Sequence, residues 1–125
     1  MTHSRQDLGR RGEEYAARRL EARGWQIRDR NWRSPHGEID IVAERGMQRI
    51  FVEVRTRRAR RGGSLGTPED SIGWRKQARL KVLASAYLMD HPWNGPCRID
   101  VVAILIGEGD VVARYTHLSH ATALL

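Results

Sequence analysis

Lysine is almost absent from this chain. Of 22 basic residues only Lys76 and Lys81 are lysine, which leaves 20 arginines. Cysteine occurs once, at Cys97, which excludes an internal disulfide and suits a reducing compartment. Long apolar runs are missing too. The longest, Val101 to Ile106 (VVAILI), has the length of a strand, far short of the roughly 18 residues of a membrane-spanning helix. The opening MTHSRQDLGRR has no apolar segment of the kind a secretory signal carries. These absences together predict a cytoplasmic protein. With 125 residues, the expectation is one domain, residues 1–125, around one core.

Acid is also in the minority, 15 residues against 22, giving a formal net charge of +7. A GC-rich genome would account for arginine replacing lysine, but not for base exceeding acid. That excess points to a polyanionic partner: nucleic acid, DNA first, rather than a membrane surface. The charge is also clustered. Arg55, Arg57, Arg58, Arg60 and Arg61 crowd one short segment.

The pattern along the chain predicts a helix over 5–23, with Leu8, Ala16, Ala17 and Leu20 as its apolar stripe and Gly24 beyond its end. A strand over 25–30 follows, then a loop, Asn31 to Gly37, punctuated by Ser-Pro and Gly. Strands are expected over 38–44 and 49–55, then an Arg- and Gly-rich loop. Thr67-Pro68-Glu69-Asp70 is a helix start, with a Thr cap, Pro in the first turn and acids beside it. That helix should run to about Met89. Strands over 98–106 and 111–116, separated by a GEGD turn, and a helical tail from Ser119 to Leu125 complete the chain. The order αβββαββ predicts an α/β three-layer sandwich with a central mixed sheet flanked by helices.

The segment GEIDIVAERGMQRIFVEVR, residues 37–55, carries the chemistry. Arg45-Gly46-Met47-Gln48 fits a two-residue type II′ turn. Glu44 then faces Arg49, Val42 faces Phe51, Asp40 faces Glu53 and Glu38 faces Arg55. The opposite face carries Ile39, Ile41, Ala43, Ile50, Val52 and Val54, which should be core. Asp and Glu are poor strand residues, and two carboxylates set opposite one another repel. A divalent cation between them would turn that repulsion into coordination, since Mg²⁺ is held by one or two carboxylates together with water and phosphate oxygens. The competing reading is a solvated face, which would not need Val42 and Phe51 among the charges. Glu13 lies on the packing face of the first helix and Glu14 about 100° away. An acid near a helix N-terminus is favourable without any function.

Other residues speak less clearly. Trp25, Trp32, Trp74 and Trp93 are expected to pack, with Trp32, beside Arg33, the one best placed to stack on a base. His117 and His120 lack further soft ligands for zinc. His36 reads as a loop residue and Cys97 as a packed thiol.

Taken in order, G-x-x-G-E-x-x-A (Gly9 to Ala16), RNWR (Arg30 to Arg33), GEID (Gly37 to Asp40), FVEVR (Phe51 to Arg55), the helix lysine Lys76, RIDVVAI (Arg98 to Ile104) and H-L-S-H-A resemble the YraN family of small bacterial proteins. That family resembles archaeal Holliday-junction resolvases and the restriction-endonuclease-like PD-(D/E)XK superfamily. The resemblance implies a metal-dependent endonuclease that hydrolyses DNA phosphodiesters, with branched or structured DNA as a candidate substrate. It implies that Asp40, Glu53 and the Val54 carbonyl hold Mg²⁺ or Mn²⁺, and that Glu13 orients a water or a second ion. Arg33, Arg57, Arg58, Arg60 and Arg61 would contact nucleic acid, and relatives working on two symmetric strands suggest a homodimer. One position departs from the pattern: Arg55 stands where the motif has lysine. Arginine effectively never gives up its proton, so Arg55 can stabilise phosphoryl charge but not act as a base. Lys76 is the substitute that the resemblance offers. The alternatives are a nucleic-acid-binding protein that keeps the fold without turnover, and a scaffold whose basic surface binds an acidic protein.

Overall fold

The computed structural model describes residues 4–59 and 74–123. Helix α1 (Arg5–Ala22) is followed by strands β1 (Gln26–Ser34), β2 (Gly37–Arg45) and β3 (Gln48–Arg58). Helix α2 (Trp74–Asp90), strand β4 (Cys97–Ile106), a 3-10 turn (Glu108–Asp110) and strand β5 (Val112–Ala123) complete the order. The sheet runs β1-β2-β3-β4-β5. Only β3 and β4 are parallel, and α2 lies in the connection between them. Among the described residues, no helix is long and apolar enough to cross a membrane.

Each face of the sheet carries one helix, so the layers are helix, sheet, helix. Leu8, Ala16, Ala17 and Leu20 of α1 pack on Ile41, Ala43, Ile50, Val52, Val102 and Ile104. Leu80, Leu83, Ala84 and Tyr87 of α2 pack on Ile39, Val42, Phe51 and Ile99. Strands buried on both faces explain why β2, β3 and β4 read as dense apolar runs rather than strict alternations.

Local chemistry sets the helix ends and the hairpin. Ser4 caps α1, its Oγ accepting the Asp7 N–H at 3.1 Å. Gly46 takes φ 59° while Met47 stays in the ordinary region, as a type II′ turn requires. The expected register follows: Arg45 pairs with Gln48, Glu44 with Arg49, Val42 with Phe51 and Ile41 with Val52.

Four expectations need correction. β1 runs on to Ser34, because its pairing with β2 continues to Ser34–Gly37 and leaves only Pro35 and His36 to turn. β3 likewise extends to Arg58 along its parallel partner β4. The tail is strand, not helix: Ala123 and Thr122 pair with Arg98 and Ile99, and the open edge of β4 outweighs the helix preference of Ala and Leu. Ile39 packs under α2, on the opposite face from Ile41, because the regular β2–β3 ladder ends at Ile41–Val52. The Thr67 cap and the loop arginines Arg60 and Arg61 lie outside the described residues.

Helix α1 is seated through a missing side chain. A Cβ on Gly12 would lie 1.8 Å from Thr56 Oγ1 and 3.0 Å from Thr56 Cβ. Gly12→Ala should therefore cost roughly 1–3 kcal/mol, the usual range for overpacking a tight contact. Thr56→Ala alone should be nearly neutral, since the Thr56 hydroxyl is buried with no hydrogen-bond partner among the described residues. Urea denaturation of both single variants and the double variant measures this, with Thr56→Ala expected to recover much of the Gly12→Ala loss.

Candidate functional site

Where the β2–β3 ladder stops, the backbone N–H of Val54 donates to Asp40 Oδ2 at 2.8 Å rather than to a backbone carbonyl. This pins the Asp40 carboxylate at a gap between the two strands. Three further acids converge there. Glu13 reaches it from α1 and Glu38 from the start of β2; together with Asp40 each offers an oxygen, all within 4.8 Å of one another. Glu53 comes from β3 and shares with Asp40, Glu38, Lys76 and Arg79 a cavity of about 260 Å³ under α2. The expected facing of Asp40 and Glu53 is thus not a regular ladder pair, but both carboxylates open into one space.

Burial and like charge govern the electrostatics. Desolvation, then Glu53, Glu13 and Glu38, push Asp40 up to about 7, although the Val54 N–H favours its ionised form. Burial and Glu38 push Glu13 up as well. Glu44, four residues along the same strand, shows the contrast. Burial pushes it upward too, but Arg28 at 2.6 Å and Arg49 at 2.8 Å outweigh that and hold it below the usual range. Glu44 is a structural ion pair, as its cross-strand partner Arg49 implies.

Lys76 joins the acids. Its Nζ lies 2.8 Å from Glu53 Oε1, with the Glu53 side chain 12% exposed and that of Lys76 32%. Read alone it could have been any surface lysine of a helix; α2 turns it into the cavity instead. Arg55 is half-buried on β3, opposite Ala103 of β4. Glu38 pairs with Arg33 of β1, at 3.4 Å, and the regular β2–β3 register stops short of the expected Glu38–Arg55 facing.

Asn31 was absent from the sequence-based site. It sits in β1 between the pairs Arg30–Ile41 and Trp32–Ile39, so it lies across from Asp40, and it has φ 53°. With its amide NH₂ turned toward the acids, it donates to Glu38 Oε1 at 2.7 Å and Glu13 Oε2 at 2.9 Å. The available signal was the residue type: Asn tolerates left-handed backbone better than other side-chain-bearing residues.

The remaining expected contacts spread out. Arg57 is exposed at the end of β3, and Arg33 has an 81% exposed side chain. Arg58 is held by Asp110 at 2.6 Å, so its charge is already engaged. Trp32 is no open platform; it packs against the α2 cluster with its ring edge-on to Tyr87, centroids 5.3 Å apart. Trp25 is buried, and Trp93 donates to the Met47 carbonyl at 3.1 Å. His117 binds buried Asp100 at 2.8 Å. His36 is exposed in the β1–β2 turn, and Cys97 is half-buried.

A profile of the uncharacterised protein family UPF0102 matches residues 12–104, which spans Glu13, Asn31, Glu38, Asp40, Glu53 and Lys76. The chain belongs to the UPF0102 family. Its similarity to individual members covers almost the whole length. It is 49% identical over 112 residues to a UPF0102 protein of Arthrobacter sp. (strain FB24), covering 89% of this chain and 92% of that one. A UPF0102 protein of Roseiflexus castenholzii is 46% identical over 123 residues, 97% of each chain. One from Pelotomaculum thermopropionicum is 43% identical over 122 residues, 97% of this chain and 99% of that one. UPF0102 is the YraN family of the sequence resemblance.

The electrostatics yield a stability prediction. Asp40 has a folded pKa of about 7, above its unfolded value near 3.8. Its contribution is therefore fully present below about pH 4 and is lost as pH rises toward 7. Asp40→Asn keeps an oxygen for the Val54 N–H and removes the charge. In chelator it should raise stability at pH 8 by roughly 2–4 kcal/mol, at 1.36 kcal/mol per pKa unit, and change it little at pH 4. Thermal unfolding of wild type and variant across that range is the measurement.

Proposed function

We propose that this UPF0102 protein is a metal-dependent nuclease that hydrolyses phosphodiester bonds in DNA. The observation that carries the reading is the convergence of Glu13, Glu38, Asp40 and Glu53, with Lys76 on Glu53, at a gap in the sheet. Half-buried carboxylates held this close repel one another in the folded protein unless positive charge joins them. Their donor set is all oxygen, which fits a hard divalent cation such as Mg²⁺ or Mn²⁺ and not zinc.

Asp40, Glu13 and Glu38 would hold that ion, with Glu53 and the Val54 carbonyl at its border. A bound cation of this kind supplies a lowered pKa for water and offsets charge on a phosphate oxygen. The protein's residues do the rest. The Val54 N–H fixes the orientation of Asp40, and Asn31 holds Glu13 and Glu38 in register across β1. Lys76 places a compact ammonium beside Glu53, where it can meet an incoming phosphate. Arg55 acts only through its permanent charge. The lysine chemistry that the motif puts at position 55 thus has a source on α2, which favours turnover over a binding-only role.

Labelled single strands, duplexes, flaps and four-way junctions, incubated with Mg²⁺ or Mn²⁺, test the reading. Cleavage is expected, with Asp40→Asn and Glu53→Gln each reducing it at least 10²-fold. Lys76→Ala should reduce it more than Arg55→Lys does. Binding without cleavage by any metal would instead support a protein that keeps the fold and has lost turnover.

A second expectation concerns the ion alone. At pH 8, millimolar Mn²⁺ should raise the wild-type melting temperature by several degrees, as binding to the folded state does. It should leave Asp40→Asn unchanged.

A further inference from the structure

On the outer side of the acid cluster, α1 and β1 enclose a second and larger space. This open groove, of about 760 Å³, is lined by Arg10, Arg11, Tyr15, Arg18 and Arg30 along its length and by Glu13, Glu14 and Asn31. Four arginines face two acids there. Glu14 does not neutralise the groove so much as arrange it: its two oxygens take Arg18 at 3.0 Å and Arg30 at 2.7 Å. Each guanidinium spends one nitrogen on that pair and keeps others for a ligand. Arg11 leans toward Asp110, at 3.4 Å. Arg10 makes no ion pair among the described residues. From Arg10 to Arg18 the helix advances about 12 Å, so the positive charge forms a track and not a point.

Two features say what lies in the track. Tyr15 packs part of its ring against Tyr115, centroids 5.8 Å apart, and lines the groove with the remainder. An aromatic ring set among arginines is the surface on which an unpaired base stacks while its phosphates are held. The groove is also shallow and open, with room for a short length of one strand against the α1 arginines. Glu13 and Asn31 belong both to the groove and to the acid cluster. A strand lying in the groove therefore ends at Asp40.

We infer that the α1–β1 groove binds a single-stranded segment of nucleic acid and leads it to the carboxylate cluster, with one base against Tyr15. The preferred substrate then carries unpaired nucleotides next to the scissile phosphate, as a flap or frayed junction does. This inference rests on the nuclease reading for its cleavage consequence, but the binding itself needs neither metal nor turnover.

The test is made in chelator, so a failed nuclease reading leaves it intact. Fluorescence anisotropy compares a labelled single strand with its duplex across a salt series, for wild type, Arg10→Ala/Arg18→Ala, and Arg114→Ala as an exposed control on β5. Single strand should bind more tightly than duplex. The double variant should lose at least tenfold, and its salt slope should fall by about 1.4, two charges at 0.7 each. The control should match wild type. Circular dichroism establishes that the variants fold. A 5-iodouracil strand irradiated on the unaltered protein should crosslink to Tyr15, which needs no variant at all. Equal affinity for duplex, an unaffected double variant, or crosslinks that avoid Tyr15 each overturn the inference. So does displacement of the strand by polyglutamate of matched charge, which would assign the groove to an acidic protein.

Discussion

A single hydrogen bond organises this molecule's chemistry: the Val54 N–H given to the Asp40 carboxylate in place of a backbone carbonyl. Sheets normally satisfy their backbone donors within the ladder. Here β2 and β3 part after Ile41–Val52, and a side chain takes over the pairing. That substitution opens the gap into which Glu13 and Glu38 reach, and it leaves a half-buried carboxylate held by a backbone donor among other acids. The raised pKa of Asp40 and the demand for a counter-charge follow from this geometry.

β2 carries two acids four residues apart, Glu44 buried and Asp40 half-buried, with opposite fates. Glu44 lies between Arg28 and Arg49, and its network continues through the Arg49 bond to the His91 carbonyl and the ring of Trp93. It is satisfied from within the chain. Asp40 is surrounded by acids, with the ammonium of Lys76 committed to its neighbour Glu53. A fold that can satisfy a buried carboxylate so fully at one end of a strand leaves its partner at the other end short of positive charge. It is this shortfall of positive charge that the proposed cation would make good.

Much of this was legible in the residues. A two-residue turn with Gly at its first position fixes the hairpin register as far as Ile41–Val52, and Asp40 and Glu53, just beyond it, open into one space. Stripe spacing placed Glu13 toward the sheet and Glu14 away from it. What escaped was set by tertiary pairing, some of it local and some of it distant in sequence. Asn31 looked like a loop residue because Ser34-Pro35 follows closely, yet pairing with β2 carries the strand past it. Lys76 had no pattern of its own, and only resemblance singled it out. Arg58 looked available until Asp110, far along the chain, appeared at 2.6 Å. The C-terminal residues favour helix locally, and only the unpaired edge of β4 makes them strand.

The one parallel pairing in the sheet also divides the site's contacts by their cost in chain entropy. β1, β2 and β3 are joined by short turns, so Asn31, Glu38, Asp40 and Glu53 meet through contacts close in sequence. β3 and β4 pair Arg49 with Cys97, about 50 residues apart, and closing that loop costs more chain entropy. Lys76 lies inside the loop. Glu53 therefore draws its lysine from a segment that only the long-range β3–β4 pairing returns to the hairpin, so the charge balance of the acids depends on the most entropically costly contact in the sheet.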